Sequence, residues 1–192
     1  MNMANTTAST ASTASTASTT VTGTLTATAA WDVAAAVPDP ELPMLTLAEL
    51  GVLAGVETDG ESVTAWLTPT YSGCPAVAEM AADVDARLRA AGCPDVRVRL
   101  RLDPPWSTDR ITEAGRRKLA EAGIAPPGPV RPGRPGRMPA LLRLGPTRHA
   151  EVACPQCGSA DTEELSRFGS TACKALWRCR GCREPFERIK EI

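Results

Sequence analysis

Aromatic side chains are scarce in this sequence: four Trp, two Phe and one Tyr make up 4% of 192 residues. Much of the 43% apolar fraction is alanine, which buries little surface, so any core must be modest. There is one histidine, His149, and it stands in a Pro/Gly-rich stretch. A Ser or Cys hydrolase needs a histidine placed to take the nucleophile's proton, so no such triad is visible. A Walker-type phosphate loop, G-x-G-x-x-G and H-E-x-x-H are also missing. The chain therefore does not read as a self-contained enzyme. Neither sign of charge dominates: 21 Lys+Arg against 22 Asp+Glu leave a net charge of -1. That argues against a surface coated in positive charge for nucleic acid. No apolar run reaches the roughly eighteen residues a transmembrane helix needs. No charged segment followed by an apolar one suggests a secretory signal, so a cytoplasmic location is expected.

What the sequence does have is cysteine. Seven in a chain with no visible signal peptide read as metal or redox chemistry rather than a disulfide scaffold. Cys154-Pro155-Gln156-Cys157 and Cys179-Arg180-Gly181-Cys182 are two C-x2-C knuckles with 21 residues between them. Each pair can present two thiolates from one tight turn, and two such turns close a tetrahedron. Gly158 and Gly181 suit the backbone conformations such turns demand. A block of this size, 150–192, has too little core to fold alone, so bound metal would supply much of its folding energy. Zinc is the expected occupant of a four-thiolate site. Iron, as a single ion or a cluster, fits the same ligands.

Three further cysteines lie outside the knuckles. Cys173 sits in Phe168-Gly169-Ser170-Thr171-Ala172-Cys173-Lys174. It is either a small buried hydrophobe or an additional ligand or reactive thiol, its thiolate favoured by Lys174. Cys74 precedes Pro75 and a predicted helix, among Thr68, Thr70, Tyr71 and Ser72. Pro75 suits the first helical position. Free N–H groups at the helix start would then hold Cys74 as a thiolate. The alternative is an ordinary loop position. Cys93, in Gly92-Cys93-Pro94, has no evident partner.

The rest of the chain divides by composition. Residues 1–30 include four copies of Ala-Ser-Thr (8–19) and read as a disordered tail. A first domain is expected over 31–125. Within it, Trp31–Val37 reads as a short helix stopped by Pro38 and Pro40. Gly51–Glu57 and Ser62–Thr68 read as strands joined at Asp59-Gly60. Val63, Ala65 and Leu67 form the inward set of the second strand. Ala76–Ala91 reads as a helix, and Val96–Leu102 as a strand with Val96, Val98, Leu100 and Leu102 inward. A last helix is expected over Asp109–Glu121, capped by Ser107 or Thr108. Residues 126–149 carry seven prolines, four glycines and five arginines and read as a linker. The fold class is thus α+β: a small domain with a three-strand sheet and helices, then a zinc-ribbon-like module over 150–192.

Asp39-Pro40-Glu41-Leu42-Pro43, the loop Leu67–Pro75 and the strand ending in Asp103-Pro104-Pro105-Trp106 together resemble the iron–sulfur cluster assembly domain of SufT-like and PaaD-like proteins. The segments Cys154–Ser159, Phe168–Leu176 and Cys179–Phe186 narrow the resemblance to the PaaD-type family of phenylacetyl-CoA epoxidase D subunits. The resemblance implies a role in aerobic phenylacetate catabolism, as an accessory protein that matures an iron–sulfur or diiron component rather than oxidising substrate. It implies that Cys74 makes transient contact with an iron–sulfur cluster, and that Cys154, Cys157, Cys179 and Cys182 are the ribbon's metal ligands. The oxygenase and reductase subunits are the implied partners. One loop thiol per chain cannot satisfy a [2Fe–2S] centre, so a homodimer is one implied way to hold it.

Two other readings stay open at this point. The chain could be a non-catalytic structural subunit whose ribbon merely holds zinc. It could instead be a nucleic-acid-binding ribbon, using Arg178, Arg180, Arg183 and Arg188. Against the latter, Glu151, Asp161, Glu163, Glu164, Glu184, Glu187 and Glu191 offset those charges.

Overall fold

The computed structural model describes residues 25–71, 73–128 and 152–191. The Ala-Ser-Thr repeats, His149 and most of the Pro/Arg segment lie outside the described residues.

The first element is helix α1 (Ala27–Ala35). It starts earlier than expected because Thr26 caps it, its Oγ1 accepting the Ala29 N–H at 3.2 Å. Leu25, just upstream and inside the expected tail, packs against the core. Ala30 and Ala34 are buried on one face of α1. Residues 36–52 then cross the core without a long regular element, burying Val37, Leu42, Leu45, Leu47, Leu50 and Val52.

Strands β1 (Leu53–Asp59) and β2 (Ser62–Leu67) form the expected antiparallel hairpin, with Asp59 facing Ser62 across the turn. Gly60 takes φ +59°, which a tight hairpin turn requires. Val63, Ala65 and Leu67 are buried, as the alternation predicts. Helix α2 (Val77–Ala90) buries Met80, Val84 and Leu88, a four-residue repeat that lies along one helix face. It returns the chain to β3 (Asp95–Leu100), which pairs parallel to β2. The sheet order is β1-β2-β3. Cys93 joins the core here, 5% exposed.

The far half of β3 departs from expectation. Val96 is buried, but Leu100 and Leu102 are 50% and 55% exposed. The strand ends at Leu100, and β3 is an edge strand. Alternation assigns the two leucines to a face, but nothing among the described residues covers them there. The expected helix from Asp109 also divides. Ser107 caps a short 3₁₀ turn (Thr108–Arg110), and Thr112 caps helix α3 (Glu113–Glu121) with a 3.0 Å bond from the Gly115 N–H.

Gly51 closes the loop that leads into β1. Its φ is +74°, and a Cβ there would lie 2.5 Å from Arg110 Cβ and 2.7 Å from the Arg110 carbonyl oxygen. Both the left-handed conformation and the backbone contact exclude a side chain. Gly51→Ala is expected to cost roughly 3 kcal/mol of stability. Urea denaturation would check this, and an unchanged midpoint would contradict the packing described.

Strand β4 (Ile124–Ala125) follows α3 and leaves the first sheet altogether. It pairs parallel to β7 (Pro185–Ile189), with Ile124 opposite Glu187. With β5 (Thr162–Ser166) and β6 (Lys174–Cys179) these strands make a second sheet of order β4-β7-β6-β5. The segment 31–125 thus ends inside the ribbon's sheet. Two residues carry no periodicity, which is why the strand is invisible in the sequence alone. Ile189 reciprocates by burying itself in the first core. The ribbon's own core is small: Ala125, Val152, Cys154, Ala175, Trp177, Cys179 and Phe186.

Candidate metal centre and thiol pocket

The two knuckles converge at one end of the ribbon. The first is a turn in which the Gly158 N–H bonds to the Cys154 carbonyl at 2.8 Å and the Cys154 N–H to the Ser159 carbonyl at 2.9 Å. The second follows β6, where the Cys179 N–H bonds to the Glu184 carbonyl at 3.0 Å. In each, the residue after the second cysteine takes the left-handed conformation: Gly158 at φ +74° and Arg183 at φ 69°. Arg183, not Gly181, does this in the second knuckle, two positions later than the glycine suggests.

The four Sγ atoms of Cys154, Cys157, Cys179 and Cys182 lie within 4.8 Å of one another. Cys154 is 3.8 Å from Cys182, and Cys157 is 3.6 Å from Cys179. A tetrahedral zinc–thiolate centre with bonds of about 2.3 Å sets sulfur–sulfur edges of about 3.8 Å. The residues fit such a metal in donor chemistry and in spacing. The Cys182 backbone N–H, 3.5 Å from Cys179 Sγ, is the largest of the influences that pull that thiol down to about 6. Although the Glu184 backbone N–H pulls it down, the neighbouring Cys182 thiol is pushed the other way, up to about 12, by burial and by the Cys157, Cys179 and Cys154 sulfurs, so the four thiols share their protons and give them up in turn.

A second group forms where the ribbon meets the first sheet's domain. A partly open cavity is lined by Asp39, Glu41, Thr70, Cys74, Trp106 and Cys173, with apolar walls that include Met80 and Ile189. Asp39 is 3% exposed, and its Oδ1 accepts the N–H groups of Glu41 and Leu42 at 2.9 and 2.8 Å. That turn holds the Glu41 side chain toward the ribbon. Cys173 is 6% exposed, with Sγ 4.0 Å from Glu41 Oε2 and 3.1 Å from Thr171 Oγ1. Its loop is tied down by Glu187, which accepts from the Ser170 N–H at 2.6 Å and pairs with Lys174 Nζ at 3.1 Å. Lys190 adds a 2.6 Å bond to the Ala172 carbonyl.

The electrostatics of the loop thiols differ from the sequence expectation. Helix α2 begins at Val77 with Ala76 as its cap residue, so Cys74 stands outside its first turn. Burial pushes the Cys74 thiol up, and Glu41 and Asp39 push the same way, against one helping bond from Ala76. Burial likewise raises Cys173, and the nearby Lys174 does not offset it. The same loss of water raises the Asp39 carboxyl, and Glu41 rises through burial and its neighbour Asp39. Four titratable groups, Asp39, Glu41, Cys74 and Cys173, therefore line one largely apolar cavity.

The four knuckle cysteines are legible from their spacing. Cys74 and Cys173 stand out separately in the sequence, and the structure brings them to one cavity. Asp39 and Glu41 show in the sequence within Asp39-Pro40-Glu41-Leu42-Pro43, a segment that carries the family resemblance, and neither stands out there as a site residue. No helix among the described residues is long and apolar enough to cross a membrane.

Both halves of the chain match known protein families. Residues 28–104 match a family described as iron–sulfur cluster assembly protein. Residues 143–190 match the PaaD zinc beta ribbon domain. The chain is 42% identical over 166 residues to the Escherichia coli (strain K12) protein named as the D subunit of 1,2-phenylacetyl-CoA epoxidase, covering 84% of this chain and 91% of that one. Among solved structures, a domain of unknown function (DUF59) from Bacillus anthracis matches with 26% identity and a TM-score of 0.45, over 48% of this chain and 90% of that one.

Proposed function

This chain belongs to the family of the phenylacetyl-CoA epoxidase D subunits, and from that premise we propose that it matures the epoxidase rather than catalysing the epoxidation. The reading is of a cytoplasmic accessory protein that assembles iron or an iron–sulfur centre and hands it to an oxygenase or reductase component. The observation that carries it is the half-buried Cys74 thiol lining a cavity, within the segment matched to iron–sulfur assembly proteins. A half-buried thiol that stays protonated holds metal weakly, and weak holding suits hand-over. In this reading zinc is the resident metal of Cys154, Cys157, Cys179 and Cys182. It fixes the ribbon's fold and, as a closed four-ligand site, keeps no open position for exchange.

Cys74→Ser should lower the iron content of the co-expressed epoxidase components several-fold while leaving the circular dichroism of this chain unchanged. Metal analysis of the purified components checks it. Undiminished loading with a folded variant would overturn the role of Cys74. A structural-subunit reading draws on the β4–β7 pairing, which makes the ribbon an integral part of the fold. Stable stoichiometric co-purification with the catalytic subunits, with loading unaffected by Cys74→Ser, would favour that reading instead.

A further inference from the structure

We propose that the open edge of β3 is a docking site for an acidic, extended segment of a partner protein, which adds to the first sheet as a fourth strand beside Val98 and Leu100. The inference needs only the edge and its charge, and it stands apart from the maturation reading. β3 has one neighbour, β2, paired in parallel along Asp95–Leu100. In a parallel pair one residue turns its N–H and C=O toward the neighbouring strand, and the next residue turns both away. The Arg101 N–H bonds to the Leu67 carbonyl at 2.8 Å. Arg97, Arg99 and Arg101 therefore aim their backbone groups at β2, and Val96, Val98 and Leu100 aim theirs outward. The start of that outer row is taken: the Arg89 guanidinium donates to the carbonyls of Pro94 and Val96 at 2.9 and 3.4 Å. Beyond it, no described residue bonds to the outward groups of Val98 or Leu100. An extended segment laid there finds the main-chain pairing that strand addition uses.

The two faces of the edge define what the partner carries. Register puts Val96, Val98 and Leu100 on the face of Val63, Ala65 and Leu67. Leu100, and Leu102 just past the strand's end, stay half exposed on that side. The opposite face carries Arg97, Arg99 and Arg101. Arg97 pairs with Asp95 at 2.8 Å. Arg101 lies over the Trp66 ring, 4.7 Å from its centroid, and 3.6 Å from Glu57. Arg99 is exposed, and no described residue pairs with it. Three cations against two carboxylates leave this face positive, and ion pairs this exposed exchange partners at little cost. A strand with carboxylates on one face and apolar side chains on the other meets both sides of the edge. Opposite charges across a strand pair stabilise it, and like charges oppose it. The same rule disfavours a second copy as the occupant. A two-fold axis through an antiparallel β3–β3 pair keeps both arginine rows on one face, arginine opposite arginine. Charges along an edge guard it against such self-pairing; here they also select for acid.

The test uses the full chain with zinc supplied, followed by amide NMR. The probe is a capped seven-residue peptide that alternates glutamate with valine, glutamate at both ends. Two controls accompany it: the same peptide with lysine for glutamate, and a block peptide of four glutamates followed by three valines. The alternating acidic peptide should bind and should slow amide exchange at Val98 and Leu100. The lysine peptide should bind about ten-fold more weakly or worse. Arg99→Glu should weaken the acidic peptide about ten-fold, because one opposite-charge pair is lost and a like-charge pair replaces it. Arg117→Glu, on α3, should leave binding unchanged. Leu100→Pro removes an outward N–H and no bond to β2, so it should bind about five-fold more weakly than Leu100→Thr, which keeps that N–H. Amide spectra establish which variants fold; should Leu100→Pro fail to, the three peptides and Arg99→Glu decide the matter. No binding of the acidic peptide overturns the proposal and leaves the arginines as guards of the edge alone. Equal binding of the block peptide overturns strand addition in favour of plain charge attraction. Slow exchange at Val98 and Leu100 before any peptide is added also overturns it. If that protection ignores concentration, the chain covers its own edge; if it grows with concentration, a second copy does.

Discussion

Cys179→Ser should release the ribbon from its fold. Cys179 is fully buried at the end of β6, where it belongs both to the group of four converging thiols and to the seven-residue ribbon core. That core holds two aromatic residues, Trp177 and Phe186, too few to offset the entropy of ordering about forty residues. Structural zinc contributes on the order of 10–16 kcal/mol to such small units, and a serine in place of one thiolate forfeits most of it. Zinc per chain should fall from one toward zero, and amide protection across β5, β6 and β7 should be lost. Chelation of the wild type should give the same spectrum. A variant that keeps both zinc and protection would show that hydrophobic packing alone suffices.

Trp106→Ala should have the largest effect on the first domain. Trp106 is 4% exposed, and its Nε1–H donates to the Leu50 carbonyl at 3.0 Å. The ring both fills the core and walls the thiol cavity. Truncation removes that area, leaves a void and strands a buried carbonyl. The expected cost is about 3–5 kcal/mol, a large share of the roughly 5–15 kcal/mol that holds a typical domain folded. Trp106→Phe separates the two contributions, since it keeps most of the volume and loses the hydrogen bond, at about 1 kcal/mol. Urea denaturation of both variants checks the order, and near-equal losses would mean that the bond outweighs the packing.

Much of this architecture is legible where local chemistry decides it. Asp59-Gly60 marks the hairpin because its left-handed glycine is a local need. Met80, Val84 and Leu88 mark a helix face because the period is local too. The knuckles are legible because two residues between cysteines is a covalent constraint on the turn. What does not show is set by partners far along the chain. Ile124 and Ala125, beyond the expected helix that ends at Glu121, show no pattern of their own until β7 arrives beside them. Leu100 and Leu102 alternate correctly, yet nothing among the described residues covers them. The direction of the Cys74 shift depends on burial and on the carboxylates of a turn more than thirty residues upstream. Cys173 and Glu41 approach within 4.0 Å although 132 positions separate them, which no local pattern records.

The pairing of β4 with β7 also makes the two halves thermodynamically reciprocal. A metal bound in the knuckles would stabilise β7, while β7 holds β4 and Ile189, and these complete the first core. Free energy gained by ion binding in the ribbon is then shared with a domain that has no ligand to that ion. Linkage requires the reverse as well: whatever grips the first domain must tighten the ribbon's hold on its metal by the same factor. A client protein docking at one end of this chain would be felt at the four sulfurs of the other.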